Sequence, residues 1–229
     1  MLQIFRFVAD TFQRTLSFLF FRTQDFKLYK SLISSDKSPT MKHIIILGGS
    51  YAGVGTAHRI FKQAGKNQSF RITMVTPNTH FYWNIASPRG IIPGEFDDEK
   101  LFQPIEAGFK QYAPTRFAFI LGSAESLDVD SNTVSISSPD GSNQTLVYDF
   151  LIIATGSRTH DRVPFKGLES TEATKDALHD FQVQVTKAKK IVVAGGGVTG
   201  VEVAGELGFS YGKEKDIILV SLGQNVVAS

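Results

Sequence analysis

Two runs of small residues carry the clearest chemistry in the chain: Gly48-Gly49-Ser50-Tyr51-Ala52-Gly53 and Gly195-Gly196-Gly197-Val198-Thr199-Gly200, 147 residues apart. Between a strand and a helix, such a turn lets the backbone come close to a pyrophosphate, and the helix N-terminus offers that anion N–H groups and a positive dipole. The second run has all three fingerprint glycines, Gly195, Gly197 and Gly200. The first departs once, with Ser50 in the place of the second glycine. Serine is small enough to permit close approach and can itself donate to a phosphate. Neither run is followed by the acidic residue that commonly grips a ribose: the next strand ends Val75-Thr76-Pro77 in one case and at Ser221 in the other. Thr76 or Asn78 is expected to hydrogen-bond a ribose more weakly, and the choice between NADH and NADPH stays open. One such turn is a weak signal, and its alternative is a glycine turn with no ligand. Two in matching contexts point to two dinucleotides, one a bound redox cofactor and the other an electron donor. Bulk at Gly200 is expected to block the nicotinamide nucleotide's site.

The elements around these turns repeat. His43–Leu47 is a short apolar run of the buried parallel-strand type, followed by a helical pattern in Val54, Ala57, Ile60, Phe61 and Ala64 and a second strand over Arg71–Val75. Lys190–Ala194 likewise reads as a buried strand, with Val201, Ala204 and Leu207 at helical spacing and a strand over Asp216–Ser221. Between them, Phe81-Tyr82-Trp83-Asn84 through Pro88-Arg89 is either a cofactor-facing loop or core packing. The pattern predicts a helix over Asp97–Tyr112, its first turn acidic. Short strands are expected over Arg116–Leu121, Ala124–Val129 and Thr133–Ser137, with a turn at Asp130-Ser131-Asn132. Tyr148–Ser157 reads as a buried strand ending in small residues, so a β-meander returns to the parallel sheet.

Composition sets limits. The 229 residues include 20 Gly and 19 Phe but no Cys, which removes disulfides, thiolate zinc sites, Cys nucleophiles and redox dithiols. No metal site is expected. The net charge of +2 gives no electrostatic case for nucleic acid. It is uneven, with residues 1–30 at +3 and the other 199 at −1. Within residues 2–21, a helix would gather Gln3, Arg6, Asp10, Gln13, Arg14 and Ser17 on one stripe and leave Phe and Leu around the rest. Its charges oppose spanning, so a helix lying in a membrane interface fits better. A mitochondrial presequence, a helix packing on protein and a gene-model extension are the alternatives. Residues 34–40 read as a linker, and Met41 directly precedes the first strand.

In combination, Gly48-x-Ser50-x-x-Gly53, Tyr148-Asp-Phe-Leu-Ile-Ile-Ala-Thr-Gly-Ser157 and Gly195-Gly-Gly-Val-Thr-Gly-Val-Glu202-Val-Ala-Gly-Glu206 resemble the pyridine nucleotide-disulfide reductase-like flavoproteins. Phe81-Tyr-Trp-Asn84 followed by Arg89 is most similar to the apoptosis-inducing-factor-like branch that includes ferroptosis suppressor proteins, especially fungal members. The lack of Cys agrees with this branch and excludes the members that reduce disulfides. The resemblance, over about residues 42–225, implies FAD in the first unit, NAD(P)H in the second and a small-molecule electron acceptor, with a quinone as one candidate. It implies that Gly48, Gly49, Ser50, Tyr51, Ala52 and Gly53 cradle the FAD pyrophosphate and that Arg89 lies near the flavin. Ala124 would offer its backbone to the adenine end, and Ala154, Thr155 and Gly156 would close over the cofactor. Gly195, Gly197 and Gly200 would hold the NAD(P)H pyrophosphate, with Glu202 near the flavin–nicotinamide contact. The plainer alternatives are a surface cation for Arg89 and an exposed helix face for Glu202 and Glu206.

The implied architecture is α/β, with two Rossmann-like units of the three-layer ββα type, the second incomplete, after an N-terminal amphipathic helix. Its expected divisions are 1–40, an FAD-binding part over 41–160 and a partial NAD(P)H-binding part over 161–229. Family members continue with a Gly-Asp motif on the ribityl chain and a C-terminal interface domain, so a C-terminally truncated member is expected. The implied activity is an FAD-dependent NAD(P)H oxidoreductase; the alternative is a truncated, non-catalytic FAD/NAD(P)-binding fragment. A flavin-only oxidase is disfavoured by the second fingerprint. The implied location is intracellular, in the cytoplasm or mitochondria, with peripheral membrane contact through residues 2–21.

Overall fold

A computed structural model describes residues 41–64, 69–159 and 162–222. The helix expected over residues 2–21, the linker over 34–40 and the division at 160 and 161 lie outside the described residues. Strand β1 (Lys42–Leu47) is central in a four-stranded parallel sheet of order β5-β2-β1-β9, with β2 at Phe70–Thr76, β5 at Phe117–Leu121 and β9 at Phe150–Ile153. Helix α1 (Tyr51–Ala64) crosses from β1 to β2 and buries Gly53, Ala57 and Ala64.

The apolar run of β1 is explained by what covers its two faces. Ile46 joins Ile72, Met74, Ala57, Ile105 and Phe109 on the helical side. Ile45 and Leu47 join Val75 with Val134 and Ile136 on the other. Those last two come from β7 (Thr133–Ser137), the middle strand of an antiparallel meander with β6 (Ser123–Asp128) and β8 (Asn143–Val147). Meander, sheet and helix are therefore the three layers expected. Asp149 pins the entry to β9: its carboxylate accepts the His43 backbone N–H at 2.7 Å and the Lys42 ammonium at 3.0 Å. Burial opposes ionisation of Asp149, but these two donors outweigh it and hold its pKa below the ordinary carboxylate value.

The second nucleotide-type unit comprises α4 (Thr171–Lys187), β10 (Lys190–Ala194), α5 (Val198–Tyr211) and β11 (Asp216–Val220), with β10 and β11 parallel. Its helices bury Leu178, Val185, Val203 and Leu207 in one cluster with Tyr82, Ile91, Ile92, Leu101 and Phe102 from the earlier part of the chain. The two glycine-turn units thus share a core rather than hanging on a linker.

Several expectations change. The helix expected over Asp97–Tyr112 is a single turn, α3 (Asp98–Leu101), followed by strand β4 (Phe102–Pro104) and a 3-10 turn over Glu106–Phe109. Leu101, Phe102, Ile105 and Phe109 are all buried, which is why their spacing mimics a helix. Pro104 removes an N–H that a helix interior needs, and Phe102–Pro104 instead pairs antiparallel with β3 (His80–Tyr82). β8 shows no apolar run in the sequence, because its residues are mostly exposed. β10 and β11 are buried on one face only: Ile191, Val193 and Ile217 pack on the shared cluster, whereas Val192 and Val220 are 57% and 49% exposed. β9 is likewise only partly buried, with Ile153 at 65%.

Because Leu178 is fully buried in the shared cluster, Leu178→Ala should remove about 3 kcal/mol of stability. A urea melt should show the midpoint falling while unfolding remains one transition. Two separable transitions in the unsubstituted chain would show that the units do not share a core.

Candidate functional site

At the C-terminal edge of the parallel sheet, β1 hands over to α1 through a turn in which Gly48, Gly49 and Gly53 leave no room for a side chain. Gly48 has φ +117°, which disfavours any residue with a Cβ, and its N–H donates to the Val75 carbonyl at 2.8 Å. A Cβ at Gly53 would lie 1.8 Å from the Gly48 carbonyl oxygen, so the start of the helix is pressed onto the end of the strand. A Cβ at Gly48 would lie 2.2 Å from the Ala154 oxygen, and one at Gly49 would lie 2.8 Å from both Ile105 and Thr76 side chains. Ala154 therefore walls the turn, its own N–H donating to the Leu47 carbonyl at 2.8 Å.

The second turn repeats the first. Gly195 has φ +129°, its N–H donates to the Val220 carbonyl at 2.8 Å, and a Cβ at Gly200 would lie 1.9 Å from the Gly195 oxygen. The Ser50 and Gly197 carbonyls each accept the N–H four residues on, from Val54 and Val201. A Cβ at Gly197, however, would meet nothing within 4 Å. Glycine at 197 is thus demanded by no neighbour in the fold, and it leaves open a concave backbone at a helix start. Ser50, its counterpart, is also exposed. At both helix starts, Ala52 and Gly53 in one and Thr199 and Gly200 in the other, first-turn N–H groups have no intrahelical acceptor and are suited to an anion. Both cradles fit a dinucleotide pyrophosphate by shape and by donor chemistry.

The structure corrects the mechanism expected for bulk at Gly200. The added carbon would collide with the Gly195 carbonyl inside the turn, so the turn itself would be lost rather than merely the ligand's space. Thr76 and Asn78 are also committed internally. Thr76 is buried, its hydroxyl oxygen accepting the Asn78 N–H at 3.3 Å, and the Asn78 side chain donates to the Leu168 carbonyl at 3.4 Å.

The other candidates divide. Ala124 is exposed on β6, two residues after Gly122, whose N–H donates to the Thr76 carbonyl at 2.9 Å; it therefore shares the sheet edge with the first turn. Thr155 and Gly156 are exposed, Gly156 with φ +71°. Tyr51 packs edge-on against Phe81 at 4.7 Å, and burial pushes its phenol up to about 12 against a smaller opposing effect of the Ile85 backbone. It is thus neutral at physiological pH.

The aromatic stretch is largely packing. The Tyr82 hydroxyl donates to the Pro164 carbonyl at 2.6 Å and Asn84 donates to that of Phe165 at 2.8 Å, tying it to the segment that crosses between units. Arg89 lies on α2 (Ser87–Gly90), where its Nε donates to Glu206 Oε2 on α5 at 3.0 Å. Glu202 is exposed one helical turn earlier on the same face as Glu206. Glu206 is only 25% exposed, not a free helix face, and Gln182, which nothing in the sequence singles out, donates to the Gly90 carbonyl at 2.8 Å. The i, i+4 spacing of the two glutamates was the only local signal for Glu206. Among the described residues no helix is long and apolar enough to cross a membrane, and no group of three His, Asp or Glu could hold a metal.

The profile of the pyridine nucleotide-disulphide oxidoreductase family matches residues 42–227. The chain is 53% identical over 189 residues to oxidoreductase ptaL of Pestalotiopsis fici, covering 82% of this chain and 50% of that protein. It is 30% identical over 181 residues to ferroptosis suppressor protein 1 of Xenopus tropicalis, covering 77% and 43%. The chain thus spans about half the length of the curated relatives it matches. Its fold is similar to that of NDH2 from Plasmodium falciparum in complex with NADH, with a TM-score of 0.61 and 17% identity over 82% of this chain and 43% of that one.

The two kinds of glycine separate experimentally. Gly53→Ala meets backbone at 1.8 Å and should lower the melting temperature sharply or abolish folding. Gly197→Ala meets nothing in the fold and should leave the melting temperature nearly unchanged while weakening NADH binding in a titration. Equal thermal losses in both variants would contradict the assignment of an open cradle at Gly197.

Proposed function

Since this chain belongs to the pyridine nucleotide-disulphide oxidoreductase family, we propose that it binds FAD at the Gly48–Gly53 turn and NAD(P)H at the Gly195–Gly200 turn. In this reading it is an oxidoreductase that delivers electrons to a small-molecule acceptor, of quinone class. The observation that carries the reading is the duplicated turn: the same positive-φ glycine, strand-end hydrogen bond and glycine-on-carbonyl contact occur twice. FAD, when bound, would supply the hydride-accepting chemistry and carry the two electrons to the acceptor. Hydride transfer of this kind needs no protein acid or base, so the chain's own work is binding, alignment and electrostatics.

The first-turn N–H groups of α1 and α5 would neutralise the two pyrophosphates, and Ser50 would add a hydroxyl donor to the first. Ala154, Thr155 and Gly156 would close the FAD side, with Ala124 meeting the adenine end at the sheet edge. Tyr51, neutral at physiological pH, would line the FAD side of the turn without adding charge. Arg89 would place a fixed positive charge near the flavin, and Glu202 would border the nicotinamide from the exposed face of α5. The quinone class rests on the likeness of Phe81–Asn84 and Arg89 to the ferroptosis-suppressor branch. The same reading sets the protein inside the cell, in the cytoplasm or mitochondria, with residues 2–21 as its contact with a membrane surface.

The purified chain, supplied with FAD and freed of excess, should be yellow with close to one flavin per chain. Anaerobic NADH or NADPH should bleach it, and a soluble quinone should restore the colour. A colourless chain that neither retains FAD nor reacts with either nucleotide would refute the proposal and leave a non-catalytic fragment as the better description.

A further inference from the structure

The four-residue turn α2 is gripped at adjacent residues by both helices of the second unit. Arg89 Nε donates to Glu206 of α5 at 3.0 Å, and the Gly90 carbonyl accepts from Gln182 of α4 at 2.8 Å. Directly after it, Ile91 and Ile92 enter the cluster that holds Leu178, Val203 and Leu207. Before it lies the Phe81–Asn84 stretch, whose Phe81 ring touches Tyr51 of the first glycine turn. A continuous packed path therefore runs from the first turn through α2 to α5. On α5, Glu206 is followed backwards by Glu202 and then by the Gly195–Gly200 turn, each about one helical turn away.

We propose that the Arg89–Glu206 ion pair is a positioning latch that sets the rotation of α5 against α2, and with it the angle at which the second nucleotide site faces the first. This rests on the proposed function, in which the two sites exchange hydride. The apolar cluster that holds both Ile91 and Leu207 is non-directional in its attraction, whereas a charge-assisted hydrogen bond fixes a direction. Direction matters because reacting atoms must lie about 3–3.5 Å apart, and a shift of about 1 Å can cost roughly 100-fold in rate. The Arg89 and Glu206 side chains are 48% and 25% exposed, so their pairing adds little to folding stability. Orientation and stability can thus be separated. Arg89 and Glu206 are positioning residues here, acting through α5.

The absence of native cysteine makes the test direct. Gln144→Cys on β8 and Lys213→Cys just beyond α5 are exposed sites outside both cradles, and spin labels on them report the distance between the units by pulsed EPR. In the full chain without added nucleotide, Arg89→Ala and Glu206→Ala should each shift or broaden the distance distribution. Thermal midpoints should move by only about 2 °C. The exchange Arg89→Glu with Glu206→Arg should return the distribution to that of the unsubstituted pair. In flavin-loaded protein, Glu206→Ala, which leaves the Arg89 charge in place, should slow flavin reduction by NADH severalfold. Distance distributions unchanged in both single variants, or not restored by the exchange, overturn the latch whatever the flavin does. A distance change in a chain that NADH never reduces overturns the proposed function and leaves the latch standing.

Discussion

Each helix start in the two glycine turns is pressed against the carbonyl that ends the preceding strand. Gly53 sits so near the Gly48 oxygen, and Gly200 so near the Gly195 oxygen, that a single carbon would not fit in either place. That approach fixes the angle at which each helix leaves its strand. It also brings the first-turn N–H groups to the sheet edge, where an anion can reach them. The left-handed glycines at 48 and 195 follow from the same demand, since the chain must reverse direction within one residue. Everything proposed about cofactors depends on these two contacts, because they bring the main chain of each helix start to the sheet edge.

The two cradles are not equally enclosed. The first is backed by Ala154, Ile105 and Thr76, and β1 has a hydrogen-bonded neighbour on each side. Among the described residues, β10 pairs with β11 alone, and positions 195 and 197 have open space where a Cβ would go. What joins the two cradles is the buried cluster around Leu178 and Leu207, reinforced by Tyr82 and Asn84 on the crossing segment. The aromatic stretch that looked ambiguous in sequence therefore acts chiefly by holding the units together.

The legible parts of the sequence were those set by local rules. Glycine turns announce themselves because the constraint lies within six residues, and β1 is apolar because both its faces are covered. The α/β class and three layers followed from that order. The stretch over Asp97–Tyr112 misled because burial of Leu101, Phe102, Ile105 and Phe109 reproduces helical spacing, while the pairing of Phe102 with Tyr82 is non-local. β8 was silent because a strand exposed along most of its length has no apolar signature. The partners of Arg89 and Gly90 lie 117 and 92 residues away, and no pattern in one sequence connects them. The roles of the cradle residues toward cofactors rest on shape and donor chemistry, which the sequence could indicate only through resemblance.

The central claim is that two dinucleotides lie on two equivalent main-chain cradles joined by one core. A crystal structure of the chain grown with FAD and NADH tests it most directly. The account predicts one pyrophosphate against the N–H groups of Ala52 and Gly53 and a second against those of Thr199 and Gly200. A structure in which either turn stays empty at saturating nucleotide, or in which both molecules compete for one turn, would contradict it.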